Sequence, residues 1–175
     1  VHDGAAHVCS GAYEHTLLQQ SQGHDFRAFV VQGRAPQQAL GVSVRALPGY
    51  RRPADLRGRR VGVSAPGSST QVMASVLLAR AGVDAREVSF VGVGTGATAV
   101  AALRTGRVHA LCHADPIMSL LEHRGEVRLV SDLRTLTAAQ EVFGGAMPAS
   151  CLYAPQAFLH KEPMVAQALT NAIVH

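Results

Sequence analysis

Between Arg60 and Ser131 the chain repeats one pattern: a short apolar run, then an amphipathic run closed by glycine. Arg60–Ser64 predicts a strand and Thr70–Ala81 a helix stopped at Gly82. Val88–Val91 predicts a strand and Ala97–Thr105 a helix stopped at Gly106. A glycine just past a helix supplies the left-handed residue that closes its last turn. Ala110–Cys112, Pro116–His123 and Val127–Ser131 continue as strand, helix and strand. A helix between successive strands carries the chain back before the next strand begins, so the pattern predicts an α/β fold with parallel strands.

The flanks carry fewer signals. His7–Ser10 predicts a strand, Ala12–Ser21 a helix, and Phe26–Gln32 and Ala39–Val44 two further strands. Leu47-Pro48-Gly49-Tyr50-Arg51-Arg52-Pro53 is turn-rich and reads as a connector. After Ser131 comes a loop holding Gly144, Gly145 and Pro148. It leads to a strand at Ala149–Tyr153, a helical turn at Pro155–Leu159, and a last helix at Pro163–Val174 with proline in its first turn. A Gly-x-x-His step occurs twice at a strand, as Gly4-Ala5-Ala6-His7 and Gly106-Arg107-Val108-His109. The echo hints at two lobes of related construction.

A chain of 175 residues with 47% hydrophobic content can build a core, which argues against disorder. The net charge is +4, and five arginines cluster at Arg51, Arg52, Arg57, Arg59 and Arg60. With no zinc-finger, helix-turn-helix or RNA-binding pattern beside it, the cluster reads as a solvated connector and predicts no nucleic-acid partner. The weak positive field still favours a small anion. Cys9, Cys112 and Cys151 sit in apolar strand-like runs and read as buried thiols, with a Cys9–Cys151 bond as the alternative if their strands are neighbours. His109 and His113 are four apart across a strand and its turn, which is not a metal pair, so neither a metal nor a cofactor is expected. No run of 18 apolar residues occurs. Both ends read as cut, so the lack of a signal peptide carries no weight.

The sites of chemical interest lie where strands hand over to helices. Pro66-Gly67-Ser68-Ser69-Thr70 offers a tight turn, a cap and the free amides of a helix start, which hold an anion without a charged side chain. An ordinary capped helix is the plainer alternative. Gly94-Thr95-Gly96-Ala97 repeats the arrangement after the next strand. It is not a dinucleotide fingerprint: the third glycine is Ala97 or Ala99, and no acidic residue ends the following strand. Ser10, Tyr13 and Glu14 open the first helix. Tyr13 can stack on or bond a ligand, and Glu14 can accept from a ligand amine or simply favour the helix dipole. Arg34, after Phe26–Gln32, is the candidate counter-ion, with a solvated arginine as the alternative. His113 is a candidate contact. Asp115, before Pro116, reads equally as contact or helix cap.

Two stretches carry a family resemblance. Asp55-Leu56-Arg57-Gly58-Arg59-Arg60-Val61-Gly62-Val63-Ser64-Ala65-Pro66-Gly67-Ser68-Ser69-Thr70 and the run from Val91 to Ala110 resemble the second lobe of the nitrate/sulfonate/taurine-type substrate-binding proteins of ABC importers, a family that includes binders of thiamine-pyrimidine precursors. The resemblance covers nearly the whole chain. It implies a type II periplasmic-binding fold: two α/β lobes, two crossing strands and a ligand cleft between the lobes. Residues 1–45 would be the latter part of lobe 1, 46–53 a connector, 54–133 lobe 2, 134–144 a return connector and 145–175 the return to lobe 1. It further implies a non-catalytic protein, periplasmic or lipid-anchored outside the cytoplasmic membrane, that serves ABC permease and ATPase subunits. Its ligand would contact Ser10, Tyr13, Glu14, Arg34, Ser68, Ser69, Thr70, Thr95, His113 and Asp115. Two departures stand out. The strand, helix and strand that usually precede the matching region are absent, leaving lobe 1 incomplete with an exposed sheet edge, conditions that favour weak binding, a swap or a dimer. His7 and His109 stand where the family commonly has an acidic residue. Two rivals share the fold: an enzyme like the fungal pyrimidine-precursor synthases, whose cysteine-rich iron motif is missing here, and the effector-sensing domain of a transcription regulator.

Overall fold

The computed structural model describes residues 4–174. In chain order the elements are β1 (Cys9–Ala12), α1 (Glu14–Ser21), β2 (Phe26–Val31), β3 (Gln38–Ser43), β4 (Arg60–Val63), α2 (Ser69–Arg80), β5 (Ser89–Gly92), α3 (Ala97–Arg104), β6 (Ala110–Ala114), α4 (Ile117–His123), β7 (Val127–Asp132), α5 (Leu136–Phe143), β8 (Ser150–Pro155), α6 (Gln156–Lys161) and α7 (Pro163–Val174). They form two compact units: residues 1–36 with 146–175, and residues 37–145.

The second unit holds a five-stranded sheet in the order β5-β4-β6-β3-β7. The strand–helix repeats behave as predicted, with β4 parallel to both β5 and β6. The parallel pattern does not extend to β3, which lies antiparallel to both β6 and β7. It enters from the first unit without a preceding crossover helix, so nothing forces it to run with its neighbours. The same strand moves the boundary expected at residue 45. β3 is buried along its whole length between β6 and β7 and belongs to the second unit. Gly41 makes its close packing possible, because a Cβ there would lie 3.0 Å from Met118 and 3.1 Å from Val127.

Helix α2 shows why these helices form. Thr70, Met73, Ala74, Leu77 and Leu78 are its buried residues, a 3.6-residue stripe laid on the sheet. Burying each large one contributes roughly 2 kcal/mol. Val100, Leu103, Leu111, Met118, Leu121 and Val127 pack together on the side of α3 and α4. Helix α5 corrects the expected return connector at 134–144. Thr135 caps it by accepting from the Ala138 amide at 3.2 Å, and Gly144 ends it at φ 74°. Both signals were in the sequence, but the short segment reads as a loop because of the glycines that follow it.

The first unit has a three-stranded sheet, β1-β8-β2, with β8 antiparallel to both neighbours. The first strand lies two residues later than predicted, because Gly11 and Ala12 pair with Cys151 and Ser150. Phe26, Cys151 and Tyr153 form a small core against Cys9, Tyr13 and Ala28. Helix α7 buries none of its described residues, and Met164, Val165, Ile173, Leu17 and Leu18 are exposed.

Candidate functional site

In the second unit the predicted residues gather at the carboxyl ends of β4, β5 and β6. The Ser69 and Thr70 amides at the start of α2 have no acceptor among the described residues, as expected of a helix start. The turn before them is held from within. Thr70 Oγ1 accepts from the Ser64 amide at 2.8 Å and lies 2.8 Å from Ser68 Oγ, while Gly67 N–H donates to Gln71 Oε1 at 2.8 Å. Thr70 is buried, so it shapes the turn, and Ser68 spends its hydroxyl in the same way. Ser69 differs. Its Oγ accepts from Gln38 Nε2 at 2.6 Å, which leaves its proton free to donate outward.

The start of α3 is the second half of this arrangement. Gly94 takes φ 76°, and a Cβ there would lie 2.7 Å from Thr98 Oγ1, so both conformation and space require glycine. The amides of Thr95, Gly96, Ala97 and Thr98 have no acceptor among the described residues. The Gly94 amide donates to the Ser64 carbonyl at 3.0 Å, which ties this turn to the one before α2. Thr95 is exposed. His113, expected as a contact, is buried and braces the turn instead. Its Nδ1 accepts from the Ala114 amide at 3.0 Å, which fixes the tautomer with the proton on Nε2. That proton is donated to the Gly94 carbonyl at 3.1 Å.

Asp115 follows the plainer of its two readings. Its Oδ1 accepts from the Ser119 amide at 2.9 Å and hydroxyl at 2.8 Å, at the head of α4. It also borders an ion network unnoticed in the sequence. Arg134 grips Asp132 through Nε at 2.9 Å and Nη2 at 2.7 Å, reaches Glu122 at 2.8 Å and lies 3.4 Å from Asp115. Its hydrogen bonds hold Asp132 below the usual carboxylate range against the opposing effect of burial. For Asp115, burial alone would raise the pKa, but Ser119 and Arg134 outweigh it and the net shift is downward.

In the first unit Ser10, Tyr13, Glu14 and Arg34 also come together, because β1 and β2 both end beside the start of β8. Ser10 Oγ donates to Gln32 Oε1 at 2.9 Å. The Tyr13 amide donates to the Ala149 carbonyl at 2.8 Å, and the ring is half-buried against Cys151 and Tyr153. Glu14 is buried, with Oε1 lacking any partner among the described residues. Arg34 is exposed. The histidines of the echo diverge: His7 stacks on Phe158 at 5.2 Å, while His109 Nδ1 accepts from the Arg60 amide at 3.2 Å. All three cysteines are free. β1 and β8 are neighbours, but Cys9 stands opposite Tyr153 and Cys151 opposite Gly11.

Gln38 is the site residue that sequence reasoning missed. It is 7% exposed, and its Oε1 has no partner among the described residues. The available signal was a glutamine heading an otherwise apolar strand run.

Residues 1–175 match the family described as NMT1/THI5 like. No curated protein gives a match. Among solved structures, a protein of Bordetella bronchiseptica is 55% identical with a TM-score of 0.93, over 99% of this chain and 55% of that one. The alkanesulfonate-binding protein SsuA of Xanthomonas axonopodis pv. citri, bound to MOPS, is 23% identical with a TM-score of 0.65, over 95% and 54%. The desulfurization enzyme DszB is 19% identical with a TM-score of 0.56, over 95% and 60%. The last two likenesses show the fold, that of the periplasmic-binding proteins. The chain spans 55%, 54% and 60% of the length of these three solved relatives.

Proposed function

Since the chain belongs to the NMT1/THI5-like family, we propose that it takes part in capturing a small anionic solute, organic or inorganic, outside the cytoplasmic membrane and in delivering it to an ABC import permease and its ATPase. The observation that carries this reading is the pair of helix starts at α2 and α3, whose amides, unpartnered among the described residues, emerge at the same end of one sheet. Six amides and the Ser69 proton give an anion a set of donors. SsuA, which binds alkanesulfonates, has the same fold.

The polar groups of the second unit favour binding over catalysis. His113 commits both ring nitrogens to the fold. Cys112 is buried, and burial pushes its thiol up to about 12, too high for a nucleophile. No helix among the described residues is long and apolar enough to cross a membrane. The dimer or strand swap expected from the sequence has no support in the structure or the comparisons.

Calorimetry with nitrate, bicarbonate, methanesulfonate and taurine tests the proposal. At least one should bind, and Ser69→Ala should weaken it by about tenfold or more, as for loss of a hydrogen bond to a charged group. Thr70 is left intact because replacing it would collapse the turn. Unchanged affinity in Ser69→Ala would remove the anion turn from the mechanism.

A further inference from the structure

The connector arginines are the sequence feature the proposed function leaves unused, and in the second unit they belong to a larger array. Arg60 Nε donates to the Arg107 carbonyl at 2.6 Å. Arg57 Nη2 donates to the Gly82 carbonyl at 2.7 Å, two residues beyond Arg80, and the Gly58 amide donates to the carbonyl of Glu87, beside Arg86. On the other flank Arg45 Nη1 donates to the Arg104 carbonyl at 3.3 Å, and Arg104 pairs with Glu126 at 2.6 Å, two residues after Arg124. These bonds join the ends of β4, β5, β6, β3 and β7 that lie opposite the anion turns. With the connector five and Arg128, whose Nη1 donates to the Tyr50 carbonyl at 2.6 Å, eleven arginines meet there, while the Arg107 guanidinium turns to the Gly92 carbonyl at 3.4 Å, at the other end of β5. The carboxylates among them are Asp55, Asp84, Glu87 and Glu126. That leaves seven positive charges uncompensated at one end of a unit, in a chain whose total is +4.

We propose that this end of the second unit is an electrostatic docking face for an anionic phospholipid surface. The charges extend across a five-stranded sheet end, roughly 20 Å wide, so they do not converge on one small anion. Val44 and Leu120 are the large apolar side chains exposed on this flank, which leaves little for the apolar centre that protein partners bury. Tyr50 is buried and Phe90 half-buried, so no Phe or Tyr ring among the described residues of this end is fully offered to a nucleic-acid base. A bilayer rich in anionic headgroups asks for neither feature. It presents uniform negative charge, which each arginine near it exploits.

The test is sedimentation of the whole chain with phosphatidylcholine vesicles, with or without phosphatidylglycerol, at low and raised salt. The protein should pellet with the anionic vesicles at low salt and be released by salt. Arg51→Glu with Arg59→Glu should reduce binding by about tenfold or more. Neither side chain has a hydrogen bond or close ion pair among the described residues, so the fold should survive. Arg27→Glu with Lys161→Glu changes the net charge equally from the first unit and should leave binding near wild type. Equal loss in both pairs would show a net-charge effect and overturn the proposal. So would equal binding to neutral vesicles, or no pelleting with anionic ones. Tighter binding to polyglutamate or duplex DNA, abolished by the same Arg51 and Arg59 changes, would also overturn it and assign the face to an acidic protein or a nucleic acid.

Discussion

The bond between Gln38 and Ser69 makes a prediction with an unusual sign. Gln38 is 7% exposed, with Nε2 on Ser69 Oγ at 2.6 Å and Oε1 unpartnered among the described residues. Ser69→Ala removes the one partner of a buried amide and should cost about 1–3 kcal/mol. Gln38→Leu keeps similar volume and loses the same bond, worth about 1 kcal/mol, but it also removes the unpaired oxygen, whose burial costs about as much or more. Ser69 is half-buried, so its hydroxyl can turn to water. The glutamine variant should therefore be neutral or slightly more stable than wild type.

In the Gln38→Leu background, Ser69→Ala should then cost less than about 0.5 kcal/mol, so the cycle closes with a coupling of about 1–3 kcal/mol. Urea unfolding of the four proteins, with unchanged denaturant slopes, measures it. An equal cost for Ser69→Ala in both backgrounds would refute the argument, because the serine would then act independently of the amide. The double variant also separates stability from function. It should unfold like wild type, so any loss of solute affinity in it reports the missing groups and not a damaged fold.

Three further outcomes follow from the geometry. Cys9 is the accessible thiol and should react first with an aromatic disulfide reagent. Cys112, fully buried and pushed up to about 12, should stay silent until unfolding. Asp132 is held below its ordinary pKa by Arg134, so its contribution is complete above the unfolded value of about 4 and fades as pH falls through the lower folded value. Asp132→Asn should therefore lower the melting temperature at neutral pH and flatten its fall in acid; parallel acid limbs would contradict this. Helix α7, with no buried residue, should exchange its amides well before α2, and protection equal to that of α2 would sink the idea.

What the sequence disclosed, and what it hid, follows the range of the forces involved. The β4–α2 and β5–α3 steps were legible because their determinants are local: an apolar stripe at Thr70, Met73, Ala74, Leu77 and Leu78, and glycines at the turns. The orientation of β3 was not. Its direction depends on which strands flank it, and Ala-Leu-Gly-Val reads alike between parallel and antiparallel neighbours. The site divides along the same line. The helix starts at residues 69 and 97 could be placed from turn chemistry alone. The roles of other side chains could not, because they depend on partners far along the chain: His113 on Gly94 and Ser69 on Gln38. Thr70 and His113 look like ligand contacts in one dimension. In three they hold the backbone that offers its amides, a role set by their burial. The residues that touch a solute should therefore be sought among those the fold leaves with spare donors, Ser69 and the turn from Thr95 to Thr98, and the buried polar groups behind them treated as the frame that keeps those donors fixed.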